Sequence, residues 1–170
     1  MSAHVKQVPG VEIRYTTQED APFLAEWLKD PSVKDAFPMD DAFEVNDAVQ
    51  RWIAFAHYRC SLTALKEGKP CGLATLYLQP YRKLAHQCEF GIIIDAAHRN
   101  LGIGSLLLEH LIHLAKDTFR IELLHLQVYE KNPAKELYER FGFKSYGHQE
   151  RWLKNPDGTF VGRLFMEKEL

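Results

Sequence analysis

The chain has 170 residues, 46% hydrophobic and 26% charged, with a formal net charge of −2 at pH 7. That size and balance suit one globular domain over residues 1–170, and the small net charge offers no general attraction to nucleic acid or an anionic membrane. No stretch approaches the roughly 20 consecutive apolar residues of a membrane-spanning helix, residues 1–10 read as a loose polar terminus rather than a signal peptide, and the expected compartment is the cytoplasm.

In chain order, Val11, Ile13 and Tyr15 alternate with polar residues and predict a first strand. Thr17 and Asp20 stand in capping-box register ahead of a helix whose apolar face is Phe23, Leu24, Trp27 and Leu28. The Asp30-Pro31 step stops it. Residues 30–44 hold prolines and acids and predict a loop with one helical turn, in which Asp35, Asp40, Asp41 and Glu44 are either a solvated acidic loop or a contact for a cationic amine. Asn46 is expected to cap a second helix carrying Val49, Trp52, Ile53 and Phe55. Residues 61–65, 71–78 and 87–95 then predict three strands of an antiparallel meander, divided by a Gly68-Lys69-Pro70 turn and a loop over residues 79–86. Cys60, Cys71 and Cys88 lie in or beside these strands without metal-ligand spacing; they read as buried small hydrophobes, and no metal is expected.

The third of these strands leads into the most informative stretch. Arg99-Asn100-Leu101-Gly102-Ile103-Gly104 has the form R-x-x-G-x-G and opens a helix with Ile103, Leu106, Leu107, Leu111 and Leu114 on one face. Two glycines let the backbone approach a ligand closely, and the first N–H groups of a helix have no intrahelical acceptor and carry the positive end of its dipole. A strand, a glycine turn and a helix start together suit a phosphate. The dinucleotide pattern G-x-G-x-x-G fails, because its third glycine would fall at Leu107, and the Walker pattern fails for want of a lysine before Ser105. A plain strand-to-helix turn is the alternative.

Residues 121–128 predict the next strand, paired in parallel with the one before the glycine turn. Asn132-Pro133 opens a helix with Leu137, Tyr138 and Phe141, ended by Gly142. Residues 143–152 and 160–166 predict the last two strands, joined by a Pro156-Asp157-Gly158 turn.

Two segments in this order, R-x-x-G-x-G and Asn132-Pro133-Ala134-Lys135-Glu136-Leu137-Tyr138-Glu139-Arg140-Phe141-Gly142-Phe143, resemble the hallmarks of the GNAT superfamily of acyl-CoA-dependent N-acetyltransferases. The resemblance covers about residues 11–170. Residues 147–152 with 160–166 further resemble the subgroup of ribosomal-protein N-terminal and small-amine acetyltransferases. It implies an α/β fold: a mixed, mostly antiparallel sheet of about seven strands flanked by about four helices and splayed at the cofactor site. It implies transfer of acetyl from acetyl-CoA to a primary amine, on a small molecule or a protein N-terminus, by direct attack in a ternary complex. A homodimer is also common among such proteins. The alternative is a non-catalytic acyl-CoA-binding module on the same fold.

Residue by residue, the resemblance assigns the pyrophosphate to backbone N–H groups of Leu101, Gly102, Ile103, Gly104 and Ser105, with Arg99 adding charge and Asn100 a contact. The backbone of Ile92, Ile93 and Ile94 would meet the acyl end and supply the oxyanion donor. Asn132 would hold the pantetheine arm or cap its helix; many relatives place the asparagine one residue earlier, where this chain has Lys131. Tyr138 would protonate the departing thiolate, its phenol being a reasonable donor to an alkylthiolate. The base is expected at Glu89, with Glu130 and His86 as the other candidates.

Overall fold

The structure, a computed structural model, describes residues 7–170. Residues 1–6 of the expected loose terminus lie outside the described residues. Residues 7–10 are not loose: Val8 packs on the core, and the carbonyls of Pro9 and Gly10 accept from the Lys66 ammonium (2.6 Å) and the Glu67 N–H (2.8 Å).

A seven-stranded mixed sheet runs in the order β1-β2-β3-β4-β5-β7-β6. Its strands are β1 (Val11–Tyr15), β2 (Ser61–Lys66), β3 (Lys69–Tyr77), β4 (Gln87–Ile94), β5 (Leu123–Tyr129), β6 (Lys144–Lys154) and β7 (Phe160–Glu169). Four helices flank it: α1 (Ala21–Lys29), α2 (Ala42–Ala54), α3 (Ile103–His113) and α4 (Ala134–Arg140). All neighbouring strands are antiparallel except β4 and β5, which pair in parallel across the α3 crossover. This is the mixed α/β sheet expected from the sequence. Among the described residues no helix is long and apolar enough to cross a membrane.

Side chains alternate across a strand, so each strand feeds two cores. On one face Leu24, Trp27 and Leu28 of α1 and Val49, Trp52 and Ile53 of α2 close over Leu73 and Ile93. On the other face Ile103, Leu107, Leu108 and Leu111 of α3 cover β2–β5, and Tyr138 of α4 joins them. Cys60, Cys71 and Cys88 are buried there as free thiols, and burial pushes them up to about 11, 11 and 12 respectively.

A polar knot fixes the entrance to α1. Asp20, only 1% exposed, accepts two bonds from the Arg14 guanidinium (2.8 Å each), one from the Thr17 N–H (2.9 Å) and one from the Thr63 hydroxyl (2.8 Å). Burial pushes its pKa up; the Arg14 bonds, with Thr17 and Thr63, outweigh that and hold it below the usual carboxylate range.

The start of the second helix differs from expectation. The second helix begins at Ala42, not after Asn46: the Asp41 side chain accepts from the Glu44 N–H (2.8 Å), and Glu44 accepts from the Asp40 N–H (2.6 Å). Two of the acids read as a possible amine contact are thus a helix cap and its reciprocal partner. The expected loop before it holds a 3₁₀ turn, Pro31–Asp35, capped by Asp30.

Candidate active site

The site begins where two strands separate. β4 and β5 pair only at Gln87, Cys88 and Glu89 with Leu123, Leu124 and His125. Beyond that point β4 stays on β3 as far as Ile94, and β5 stays on β7 as far as Tyr129. Each strand keeps its outer partner and loses its inner one. The backbone groups of β4 that would have faced β5 therefore front a cleft of about 730 Å³. The expected splay is present, and Ile92, Ile93 and Ile94 line it.

One end of the cleft is the start of α3. Gly102 adopts φ +84° and Asn100 φ +61°, the left-handed region, which turns the chain sharply out of β4 and into the helix. The first helical bond runs from Leu106 N–H to the Gly102 carbonyl (3.1 Å), so the N–H groups of Ile103, Gly104 and Ser105 have no intrahelical acceptor. Gly102, Gly104 and Ser105 line the cleft, whereas the Leu101 side chain is 51% exposed. A Cβ on Gly104 would meet only ordinary contacts, 3.6 Å from Leu137 Cδ2 and 3.7 Å from Ile94 Cγ1. The protein itself accommodates a Cβ there.

Arg99 does more than add charge. Its Nε donates to the Ile94 carbonyl (3.2 Å) and its Nη1 to the Ser32 hydroxyl (2.7 Å), while Ser32 donates to Asp30. The guanidinium lines the cleft and also ties the glycine turn to the 3₁₀ turn after α1. Beside it His98, which lines the cleft, is hydrogen-bonded through Nδ1 to Asp95 Oδ2 (2.8 Å), a pair the sequence reading did not single out.

The opposite wall comes from α4. Asn132 lines it, and its Oδ1 accepts from the Ala134 N–H (2.9 Å), so the expected cap bond is made while the residue also faces the cleft. Gly142, at φ +87°, ends the helix: Phe143 N–H reaches the Tyr138 carbonyl (3.0 Å) and Gly142 N–H the Glu139 carbonyl (3.0 Å), a Schellman ending. That ending folds Phe143 back onto Tyr138, whose ring lies edge-on to Phe143 (6.1 Å) and Phe90 (5.9 Å). Tyr138 is 6% exposed, lines the cleft, and is raised well above the ordinary phenol range by burial, so it stays protonated at neutral pH.

Glu89 lies at the last paired rung and, by strand alternation, on the other face of the sheet from Phe90 and Tyr138. Its Oε2 accepts from Gln127 Nε2 (3.1 Å). Burial raises its pKa, against the Gln127 bond and the Arg163 charge. Tyr77 and Trp52 stand over the next position on that face: a Cβ on Gly91 would lie 2.5 Å from Tyr77 Oη and 2.8 Å from Trp52 Cζ2. Glycine is required there by crowding, and only the folded partners reveal it. None of the candidate bases lines the cleft itself; Glu89 is joined to it through Gln127, which does, and the other two are engaged elsewhere. Glu130 is bound to His148 and to the Gly162 N–H (3.2 Å), and His86 contributes its carbonyl to Glu122 and Leu123 N–H groups. Of the four acids in the early loop, only Asp35 lines the cleft.

Known proteins share this fold and sequence pattern. The family described as Acetyltransferase (GNAT) family matches residues 21–143. The L-amino acid N-acetyltransferase AaaT of Escherichia coli (strain K12) is 28% identical over 109 residues, 63% of this chain and 66% of that protein, so the chain spans about two-thirds of the length of this curated relative. A solved acetyltransferase of the GNAT family from Streptococcus pneumoniae is 27% identical, with a TM-score of 0.77 over 94% of this chain and 99% of that one. A putative acetyltransferase from Salmonella typhimurium, solved with acetyl-CoA, shares the fold at 19% identity, with a TM-score of 0.80 over 95% of this chain and 94% of that one.

Proposed function

Because the chain belongs to the GNAT acetyltransferase family, we propose that it moves an acetyl group from acetyl-CoA to a primary amine by direct attack, with both substrates bound at once. The carrying observation is the parting of β4 and β5, which opens one cleft between the unpaired N–H groups of α3 and the protonated Tyr138. The relative named as an L-amino acid N-acetyltransferase favours an amino acid as the acceptor.

In this reading the N–H groups of residues 101–105 hold the pyrophosphate at the helix start, Arg99 braces that turn, and Asn132 meets the pantetheine arm. Free N–H groups among Ile92, Ile93 and Ile94 donate to the oxyanion. The acceptor approaches from the Glu89 face. Glu89 takes one proton from its ammonium, the nitrogen attacks the thioester carbon, the carbon–sulfur bond breaks, and the nitrogen gives its second surplus proton to solvent as the neutral amide forms. The departing thiolate takes the Tyr138 proton, and solvent carries the Glu89 proton back to the tyrosine. Holding the two reactants in register can supply about 7–11 kcal/mol of the acceleration.

The test is titration with acetyl-CoA by calorimetry, wild type beside Gly104→Trp. A Cβ is tolerated there, and the position lines the cleft, so a bulky side chain competes with the ligand for that space. Binding by wild type and not by the variant supports the assignment; equal binding by both removes the helix start from it. Thiol release with an amine panel then tests turnover. Tyr138→Phe should bind acetyl-CoA normally and turn over roughly 10²-fold or more slowly; full activity would remove Tyr138 as the acid.

A further inference from the structure

On the Glu89 face, a chain of polar side chains leads from the cleft across the C-terminal strands. Gln127 donates from Nε2 to Glu89 (3.1 Å) and accepts at Oε1 from Arg163 Nη1. Arg163 Nε donates to Gln149 Oε1 (2.9 Å). The guanidinium lies over the Trp152 ring at 3.4 Å and 4.6 Å from the Phe165 centroid, with Tyr146 stacked on Phe165 (5.8 Å). Trp152 and Tyr146 are 40% and 56% exposed. Every bond Arg163 makes is to a neutral amide oxygen; among the described residues it forms no ion pair.

A fixed, half-covered guanidinium without a carboxylate partner is an anion site, since planar donors match a carboxylate in pairs. Its spacing from Glu89 is informative. One amide group, that of Gln127, bridges the negative and the positive side chain. An α-amino acid carries its ammonium and its carboxylate one carbon apart, much as the Gln127 amide carries its N–H and carbonyl, so it offers a cation toward Glu89 and an anion toward Arg163. Resting on the acetyltransferase reading, we infer that Arg163 binds the carboxylate of an α-amino acid acceptor whose ammonium is delivered to Glu89, with the aromatic wall of Trp152, Phe165 and Tyr146 beside its side chain. Arg163 then sets specificity: it repels a second cationic group and finds no partner on a peptide N-terminus, whose α-carbon bears an amide.

The experiment compares kcat/KM for each of the twenty L-amino acids with its own carboxamide, in wild type, Arg163→Gln and Arg163→Lys, with melting temperatures recorded for all three. Wild type should prefer the free acid by about 10- to 100-fold, the value of a charge-assisted bond. In Arg163→Gln that ratio should fall toward one, and Arg163→Lys should restore part of it. A ratio near one in wild type, or a ratio unchanged in Arg163→Gln, overturns the inference. So does acetylation of polyamines or peptides in place of amino acids, which leaves the acetyltransferase reading standing. No thiol release with any amine overturns both.

Discussion

Two carboxylate–guanidinium systems in this protein share their chemistry and differ in closure. Around Asp20 both oxygens are occupied, by Arg14, Thr17 and Thr63, and the group is out of water. Around Glu89 the acid and Arg163 are held apart by Gln127, and both remain half-exposed. The closed system pulls its acid's pKa down and the open one lets it rise. A satisfied knot stabilises the fold and has nothing left to offer a ligand, whereas the open chain retains unspent hydrogen-bonding capacity beside the cleft.

Substitutions can break that contrast. Asp20→Ala should have the largest effect on stability, about 3 kcal/mol in denaturant unfolding. The lower end of the buried-pair range applies because the Arg14 side chain is 37% exposed and partly solvated. A loss near zero would show that the knot is not structural. Its pH dependence follows the same sign. A carboxylate lowered in the fold contributes stability above its unfolded value of about 3.9, and that contribution is lost as pH falls through the still lower folded value. Asp20→Asn should therefore flatten the acid limb of unfolding.

Glu89→Gln should leave the melting temperature nearly unchanged and cut kcat/KM by roughly 10²-fold. In wild type the acid limb of the pH–rate profile should lie above the ordinary glutamate value of about 4.3, because burial raises this group, and the limb should vanish in the variant. A limb that survives assigns the base elsewhere. A smaller effect is expected at the thiols: with all three cysteines buried and raised to about 11 or 12, an alkylating reagent at pH 8 should label none of them until the protein unfolds. The smallest is Arg51→Ala. Its bond to Asp47 (2.7 Å) is as short as those at Asp20, but it lies on the surface, and no change in melting temperature should be resolved.

What the sequence disclosed about the site was local. R-x-x-G-x-G lies within six residues, and the turn, the left-handed glycine and the helix start all follow from neighbours along the chain. Gly142 after Tyr138 is equally local. The unread parts join distant residues: Ser32 with Arg99, Glu89 with Gln127, and Gly91 with Tyr77 and Trp52. No periodicity encodes such meetings. The α2 boundary was a different miss. Asp41 and Glu44 stand three apart, which is a capping spacing, but among prolines and other acids the same residues read as a solvated loop or an amine contact.

One feature of the sheet order bears on how the cleft comes to exist as the chain is made. β5 forms one wall, yet it holds β4 over only three residues, while its whole length from Leu123 to Tyr129 lies against β7. β7 follows β6 in the sequence but is threaded between β6 and β5. During synthesis from the N-terminus, β1–β4 with α1, α2 and α3 can assemble early, but β5 and β6 must wait for residues 160–169 before either has its main partner. The nascent protein thus reaches a stage at which the phosphate-facing turn is already formed and the opposite wall has no support, so the ability to bind should arrive late and all at once.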